Sequence, residues 1–181
     1  MKTQYPILML FLIVLLNSCS SAKIISDIDQ GTDFNLYKTY VWSAVEDPMN
    51  TDYPQFDNSL NRKRWKSAID QAMQQQGYKP VDSQGDLEVD FHLQFEHNVV
   101  PQHNHQDEMG DQYSGIGATS VYQYDRGTVT IHLVDLKQKQ IVWQGIATRV
   151  VDIGLLEKAE NNIPKAVEKL FNKLEAHKKN P

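Results

Sequence analysis

From Leu87 to Phe95 apolar and polar residues alternate without a break: Leu87, Val89, Phe91, Leu93 and Phe95 against Glu88, Asp90, His92 and Gln94. Side chains on a strand point to opposite faces with period two, so this segment predicts a strand with one buried and one wetted face. Gly127–Leu136 and Ile141–Val151 predict two further strands, and Lys137-Gln138-Lys139-Gln140 between them suits a hairpin turn. Leu36–Ser43 is aromatic and β-branched, as a first strand would be, and Tyr78–Val81 reads as a short one. The period changes between them. Trp65, Ala68, Ile69, Ala72 and Met73 fall at i, i+3, i+4, i+7 and i+8, which predicts a helix from about Ser59 to Gln76 with Gly77 as its left-handed stop. A second helix is expected from near Asn162, with Pro164 in its first turn and a stripe of Ile163, Val167, Leu170, Phe171 and Leu174. Lys173, Lys178 and Lys179 near its end suit the helix dipole.

The resulting order, β-α-β-β-β-β-α, contains no internal repeat. Both helical stripes are satisfied by one apolar sheet face, which predicts an α+β two-layer sandwich. The expected sheet is mainly antiparallel, of about five strands, with two helices on one face. Residues 36–178 make a single domain. Two stretches lie outside the periodicity. Residues 19–35 are polar, with Ser20, Ser21, Asp27, Asp29, Gly31, Thr32 and Asp33, and read as a tether. Residues 97–125 read as a long polar loop, of a length that is either functional or without fixed structure.

The N-terminus changes the picture most. The unbroken apolar run Ile7–Leu16 is preceded only by Lys2 as a charge. Ten residues at about 1.5 Å each cover roughly half of a ~30 Å hydrocarbon core, so the run fits a secretory signal and not a membrane span. Leu16-Asn17-Ser18-Cys19 follows at once and resembles the bacterial lipobox. That resemblance implies a signal peptide over 1–18 and a diacylglyceryl group, with palmitate-type acylation, on Cys19. Ordinary cleavage after Ala22, in Ser20-Ser21-Ala22, is the competing reading. Cys19 is the chain's single cysteine, which suits an acylation site and leaves no intramolecular disulfide. Ser20 after it favours outer-membrane sorting, facing the periplasm, since inner-membrane retention resembles an Asp there.

The 181 residues carry 18 Lys plus Arg against 23 Asp plus Glu. That acidity argues against nucleic acid, which rewards a concentrated basic face. Arg62, Lys63, Arg64 and Lys66 at the start of the first helix read as a solvated face.

Four stretches, taken in order, are similar to a family of bacterial lipoproteins known as domain of unknown function 4136. They are Ser26-Asp27 through Asp33-Phe34 to Tyr37-Lys38-Thr39-Tyr40-Val41-Trp42; Gly77-Tyr78 with Gly85-Asp86-Leu87-Glu88-Val89; Tyr124-Asp125-Arg126-Gly127-Thr128 with Leu133-Val134-Asp135; and Ile141-Val142-Trp143-Gln144-Gly145. The resemblance implies export, lipidation and an α+β fold. It supplies no activity, substrate or catalytic residue.

Candidate chemistry is sparse. Asp27, Asp29 and Asp33 do not make an EF-hand, because Thr32 stands where its Gly belongs and Lys38 where its bidentate Glu belongs. His97, His103, His105 and Asp107 offer donors for a borderline metal such as zinc. His92 and His132 share the polar parity of their strands and face one another if those strands are neighbours. No G-x-S-x-G elbow occurs, and Glu88, Asp90 and Asp135 form no recognisable catalytic pair. The sequence therefore favours a non-enzymatic binding or structural module in the cell envelope, with no cofactor beyond the lipid on Cys19. Its partners would be the membrane and an envelope protein or small ligand, met through Trp42, Tyr113, Tyr122, Tyr124 and Trp143. The alternative is a metal-binding or hydrolytic domain using residues 97–111.

Overall fold

The computed structural model describes residues 22–103 and 119–179. Its strands are β1 (Lys23–Ile28), β2 (Thr39–Trp42), β3 (Lys79–Pro80), β4 (Leu87–His103), β5 (Thr119–Asp135) and β6 (Gln140–Val151). Helices α1 (Ser59–Gln75), α2 (Ile153–Glu157) and α3 (Ala159–Lys179) complete the described regular structure, with one 3₁₀ turn at Phe34–Leu36. The strands form one sheet in the order β1-β6-β5-β4-β2-β3. Pairing is antiparallel from β1 to β4, and parallel for β2 with β4 and β2 with β3. This is the α+β architecture that the alternation predicts, with a sixth strand.

The additional strand is a correction. Residues 23–28 (KIISDI), expected within the tether, pair along their whole length with Thr148–Trp143 of β6. Ile24, Ser26 and Ile28 turn inward, and the Trp143 indole Nε1 donates to Ser26 Oγ at 2.8 Å, so a polar residue serves as a core contact. The first predicted strand is shorter than expected, Thr39–Trp42, because Asp33 caps the 3₁₀ turn by accepting from the Asn35 N–H at 3.0 Å. The loop expected over 97–125 is also corrected. Residues 97–103 and 119–125 continue β4 and β5, paired from Leu87↔Asp135 out to His103↔Thr119. Backbone hydrogen bonding carries this arm past the end of the core, so its side chains need not alternate.

Helix α1 begins where the sequence places it, with the Asn58 side chain accepting from the Asn61 N–H at 3.0 Å. It ends at Gly77, whose φ of 92° is open to glycine at little cost. Helix α3 starts earlier than expected, at Ala159, so Pro164 stands inside it. The stripes of α1 (Ala68, Ile69, Ala72, Met73) and α3 (Ile163, Val167, Leu170, Phe171, Leu174) pack on Tyr40, Leu87, Val89, Val129, Ile131, Leu133, Val142 and Trp143 of the sheet. A β-bulge at Leu133/Val134 lets consecutive residues Val142 and Trp143 both be fully buried. One sheet face thus carries the core and the other faces water.

Candidate functional site

Two features stand out, one on each face of the sheet. The first is a cavity of about 150 Å³ between the helical layer and the outer part of β4, β5 and β6. Its floor is Leu93, Phe95, Val129, Ala147 and Val151; its walls are Trp65 of α1, Leu155 and Leu156 of α2, and Ile163 and Ala166 of α3. Ala147, Ala159 and Ala166 place short side chains where the layers meet. The lining is mostly apolar, with Asn61, Thr128 and Asn162 among its polar members. Arg149, Lys165 and Lys169 stand among the lining residues, as does Ala22, the first described residue. The lining therefore combines a mostly apolar surface with three cations and the residue that precedes β1.

The second feature lies on the wetted face. Asp90, His132 and Gln144 are direct neighbours in register across β4, β5 and β6. His132 Nδ1 lies 2.9 Å from Asp90 Oδ1, and His132 Nε2 lies 2.9 Å from Gln144 Oε1. His92, two residues along β4 and so on the same face, places Nε2 3.2 Å from Asp90 Oδ1 and Nδ1 2.6 Å from Asp47 Oδ2. The two imidazole rings are 5.3 Å apart between centroids. The Asp90 hydrogen bond holds His132 above the usual imidazole range; partial burial opposes this, and Gln144 and the charge of Asp90 add to the rise. The expectation that His92 and His132 would face each other on neighbouring strands is met.

Other sequence candidates fall in different places. His97 sits on the helix-side face, with Nδ1 2.8 Å from Asp125 Oδ1, which also accepts from the Tyr53 hydroxyl at 3.0 Å. The His97 hydrogen bond is the main reason the Asp125 carboxyl lies below the usual range. His103 ends β4, while Cys19, His105, Asp107 and Tyr113 lie outside the described residues. Trp143 is fully buried under α3 and touches Phe171, so it belongs to the core and meets no partner. Trp42 is half-buried and donates from Nε1 to Asp70 Oδ1 at 2.9 Å. Tyr122 is exposed on the hairpin arm with Tyr124 beside it, rings 5.6 Å apart, and Arg126 donates to the Tyr124 hydroxyl. Asp29 and Asp33 are occupied by local turns, Asp29 accepting from Gly31 and Thr32. Asp47 and Gln144 were missed by sequence reasoning. A loop residue and a strand amide carry no signal until register places them beside a histidine.

Comparison with known proteins supplies a family and a fold. No curated protein matches the chain. A DUF4136 family protein from Bacteroides thetaiotaomicron is similar in structure, with 13% identity, a TM-score of 0.53, and 86% of this chain and 96% of that one covered. A PDZ domain protein from Parabacteroides distasonis aligns with 12% identity and a TM-score of 0.47 over 81% of this chain, which spans only 36% of its length. The family model for Domain of unknown function (DUF4136) matches residues 24–174, which takes in β1 and most of α3. With that match spanning nearly the whole described sheet, the chain belongs to the DUF4136 family.

Proposed function

We propose that this chain is a lipid-anchored module of the bacterial envelope that binds an acyl chain bearing an anionic head. The observation that carries this reading is a mostly apolar cavity whose lining also includes Ala22 and the cations Arg149, Lys165 and Lys169. With Cys19 lipidated, only Ser20 and Ser21 stand between the anchor and Ala22, a reach of at most about 11 Å over three residue steps. The domain would then sit close to the bilayer, with this mostly apolar cavity near the lipid. Methylenes gain roughly 0.8 kcal/mol each on leaving water, and the cations neutralise the head group. Ser20 after Cys19 favours the outer membrane and the periplasmic side. Among the described residues no helix is long and apolar enough to cross a membrane, so the anchor would carry attachment. The role is binding, without catalysis. The rival reading, a hydrolytic or metal-binding loop over 97–111, falls mostly outside the described residues; within them His97 Nδ1 lies 2.8 Å from Asp125 Oδ1.

The test is lipid analysis of the full chain purified in mild detergent, beside Ala166→Trp, which fills the cavity from α3, and Lys165→Glu/Lys169→Glu, which reverses two of the lining cations. A stoichiometric anionic acyl lipid is expected on the wild type, reduced at least about tenfold in both variants. Fatty acid and phospholipid are told apart by the mass of the released species. Equal lipid content in all three proteins would overturn the reading.

A further inference from the structure

We propose that Asp90, His92 and His132 form a three-ligand site for a divalent transition cation of the zinc type, on the sheet face opposite the acyl cavity. The three residues offer one oxygen and two imidazole nitrogens, all within 4.8 Å of one another. Imidazole with carboxylate is a donor set for zinc-like ions and not for calcium or magnesium, which prefer oxygen alone. In a tetrahedral site with bonds of about 2.0–2.1 Å, ligand atoms stand roughly 3.3 Å apart. Asp90 Oδ1 already lies 2.9 Å from His132 Nδ1 and 3.2 Å from His92 Nε2. Those two distances are within a few tenths of an ångström of that spacing, and the three donors together lie within 4.8 Å of one another.

Hydrogen-bond accounting points the same way. Each ring has one nitrogen turned inward to Asp90 and one turned outward to another acceptor, Asp47 Oδ2 for His92 and Gln144 Oε1 for His132. A carboxylate oxygen only accepts, so the inward nitrogens need either two protons or one cation between them and Asp90. An entering ion displaces those protons, and the outward N–H groups remain held by Asp47 and Gln144. Such partners fix the tautomer and the orientation of metal-bound imidazoles. The backbone is fixed too. Asp90 and His132 are paired residues of adjacent strands near the centre of the sheet, and His92 follows Asp90 at the strand period. Side-chain exposures of 16% for His132, 22% for Asp90 and 36% for His92 leave the fourth position to water or an incoming ligand.

The experiment is calorimetric titration of zinc chloride into the untagged full chain in mild detergent after EDTA dialysis. One equivalent should bind at the cluster, and calcium chloride should produce no comparable binding. His92→Gln and His132→Ala should each weaken that zinc at least about tenfold, and Asp47→Asn should weaken it less. His97, His103 and His105 are the rival donors, so a His97→Ala/His103→Ala/His105→Ala variant is titrated beside them and should retain the zinc. Melting in EDTA checks folding; should His132→Ala fail to fold, His92→Gln, altered at the most exposed ligand, decides. X-ray absorption of the loaded protein should show two imidazoles and a carboxylate. Failure to bind zinc, or zinc lost with the arm histidines and kept in His92→Gln, would overturn the proposal.

Discussion

Asp57 grips Arg62 with both carboxylate oxygens, Oδ1 accepting from Nε at 2.6 Å and Oδ2 from Nη2 at 2.9 Å, five residues apart across the start of α1. The pair is largely shielded from water, with side-chain exposures of 1% for Asp57 and 14% for Arg62. Arg62 also donates to the carbonyls of Asp47 and Pro48, and Asp57 accepts from the Asn50 N–H. One ion pair therefore pins the whole 47–57 loop onto the helix, including the residue that reaches His92. Removing one partner of such a pair strands the other, so Asp57→Ala should cost about 3–5 kcal/mol in urea unfolding.

The same carboxylate makes stability depend on acid. Burial pushes the Asp57 pKa up, but the hydrogen bond from Arg62, the Asn50 N–H and the Arg62 charge outweigh it and hold the carboxyl below its usual range. A depressed folded pKa means that the stabilisation is present above the unfolded value, about 3.9, and lost as pH falls through the folded value. Wild type should therefore lose stability below about pH 4 more steeply than Asp57→Asn. Parallel urea midpoints down to about pH 3 would show that Asp57 is not the group responsible.

Asp70 on α1 joins the helix to the edge of the sheet through one oxygen. Tyr40 donates its hydroxyl to Oδ1 at 2.7 Å, and the Trp42 indole donates to the same atom at 2.9 Å. Tyr40 is wholly buried, and that burial, together with the bond to Asp70, raises its phenol pKa. Asp70→Leu keeps an apolar bulk but leaves both donors without an acceptor, at roughly 1–3 kcal/mol each. Thermal unfolding should fall accordingly, and Asp70→Asn, which keeps a carbonyl oxygen there, should recover part of the loss.

These contacts mark where the sequence stops being legible. Alternation over 87–95 and the stripes of α1 and α3 are readable because each buries one face against a common core. β1 is hidden because Ser26 and Asp27 look like tether residues, whereas Ser26 faces inward to receive the Trp143 N–H. The outer halves of β4 and β5 are hidden for the opposite reason: past Phe95 the core thins, and exposed Val99, Val100, Val121 and Tyr122 show no inside and outside to alternate between. Parity predicts that His92 and His132 share a face, but only the register Asp90↔His132 turns parity into a 2.9 Å contact. The cavity draws on all three described helices and several strands, and no local pattern encodes it.

Gly145 supplies a sharper packing test. A Cβ placed there would stand 2.5 Å from Cη2 and 2.7 Å from Cζ2 of Trp143, with Leu170 at 3.2 Å. The fully buried indole lies over the glycine, with the Phe171 ring 5.3 Å away. Gly145→Ala should therefore destabilise by about 1–3 kcal/mol through overpacking and perturb the near-ultraviolet dichroism of Trp143. An unchanged melting temperature and spectrum would mean that the ring relaxes without cost.

The distance between Cys19 and the cavity can be tested apart from the anchor itself. Cys19→Ser should abolish acylation and release the chain from the membrane fraction. Inserting ten Gly and Ser residues between Ala22 and Lys23 leaves the lipobox intact but adds a flexible spacer of roughly 17 Å. Anchoring should then persist, while photocrosslinking of a diazirine fatty acid to the cavity should drop several-fold, because the cavity is no longer held close to the bilayer. Ala166→Trp should abolish the same crosslink with anchoring and spacer length unchanged. If the spacer variant crosslinks as strongly as wild type, acyl binding does not depend on the short tether and the membrane-facing geometry is wrong. If neither variant changes it, the labelled chain is bound elsewhere.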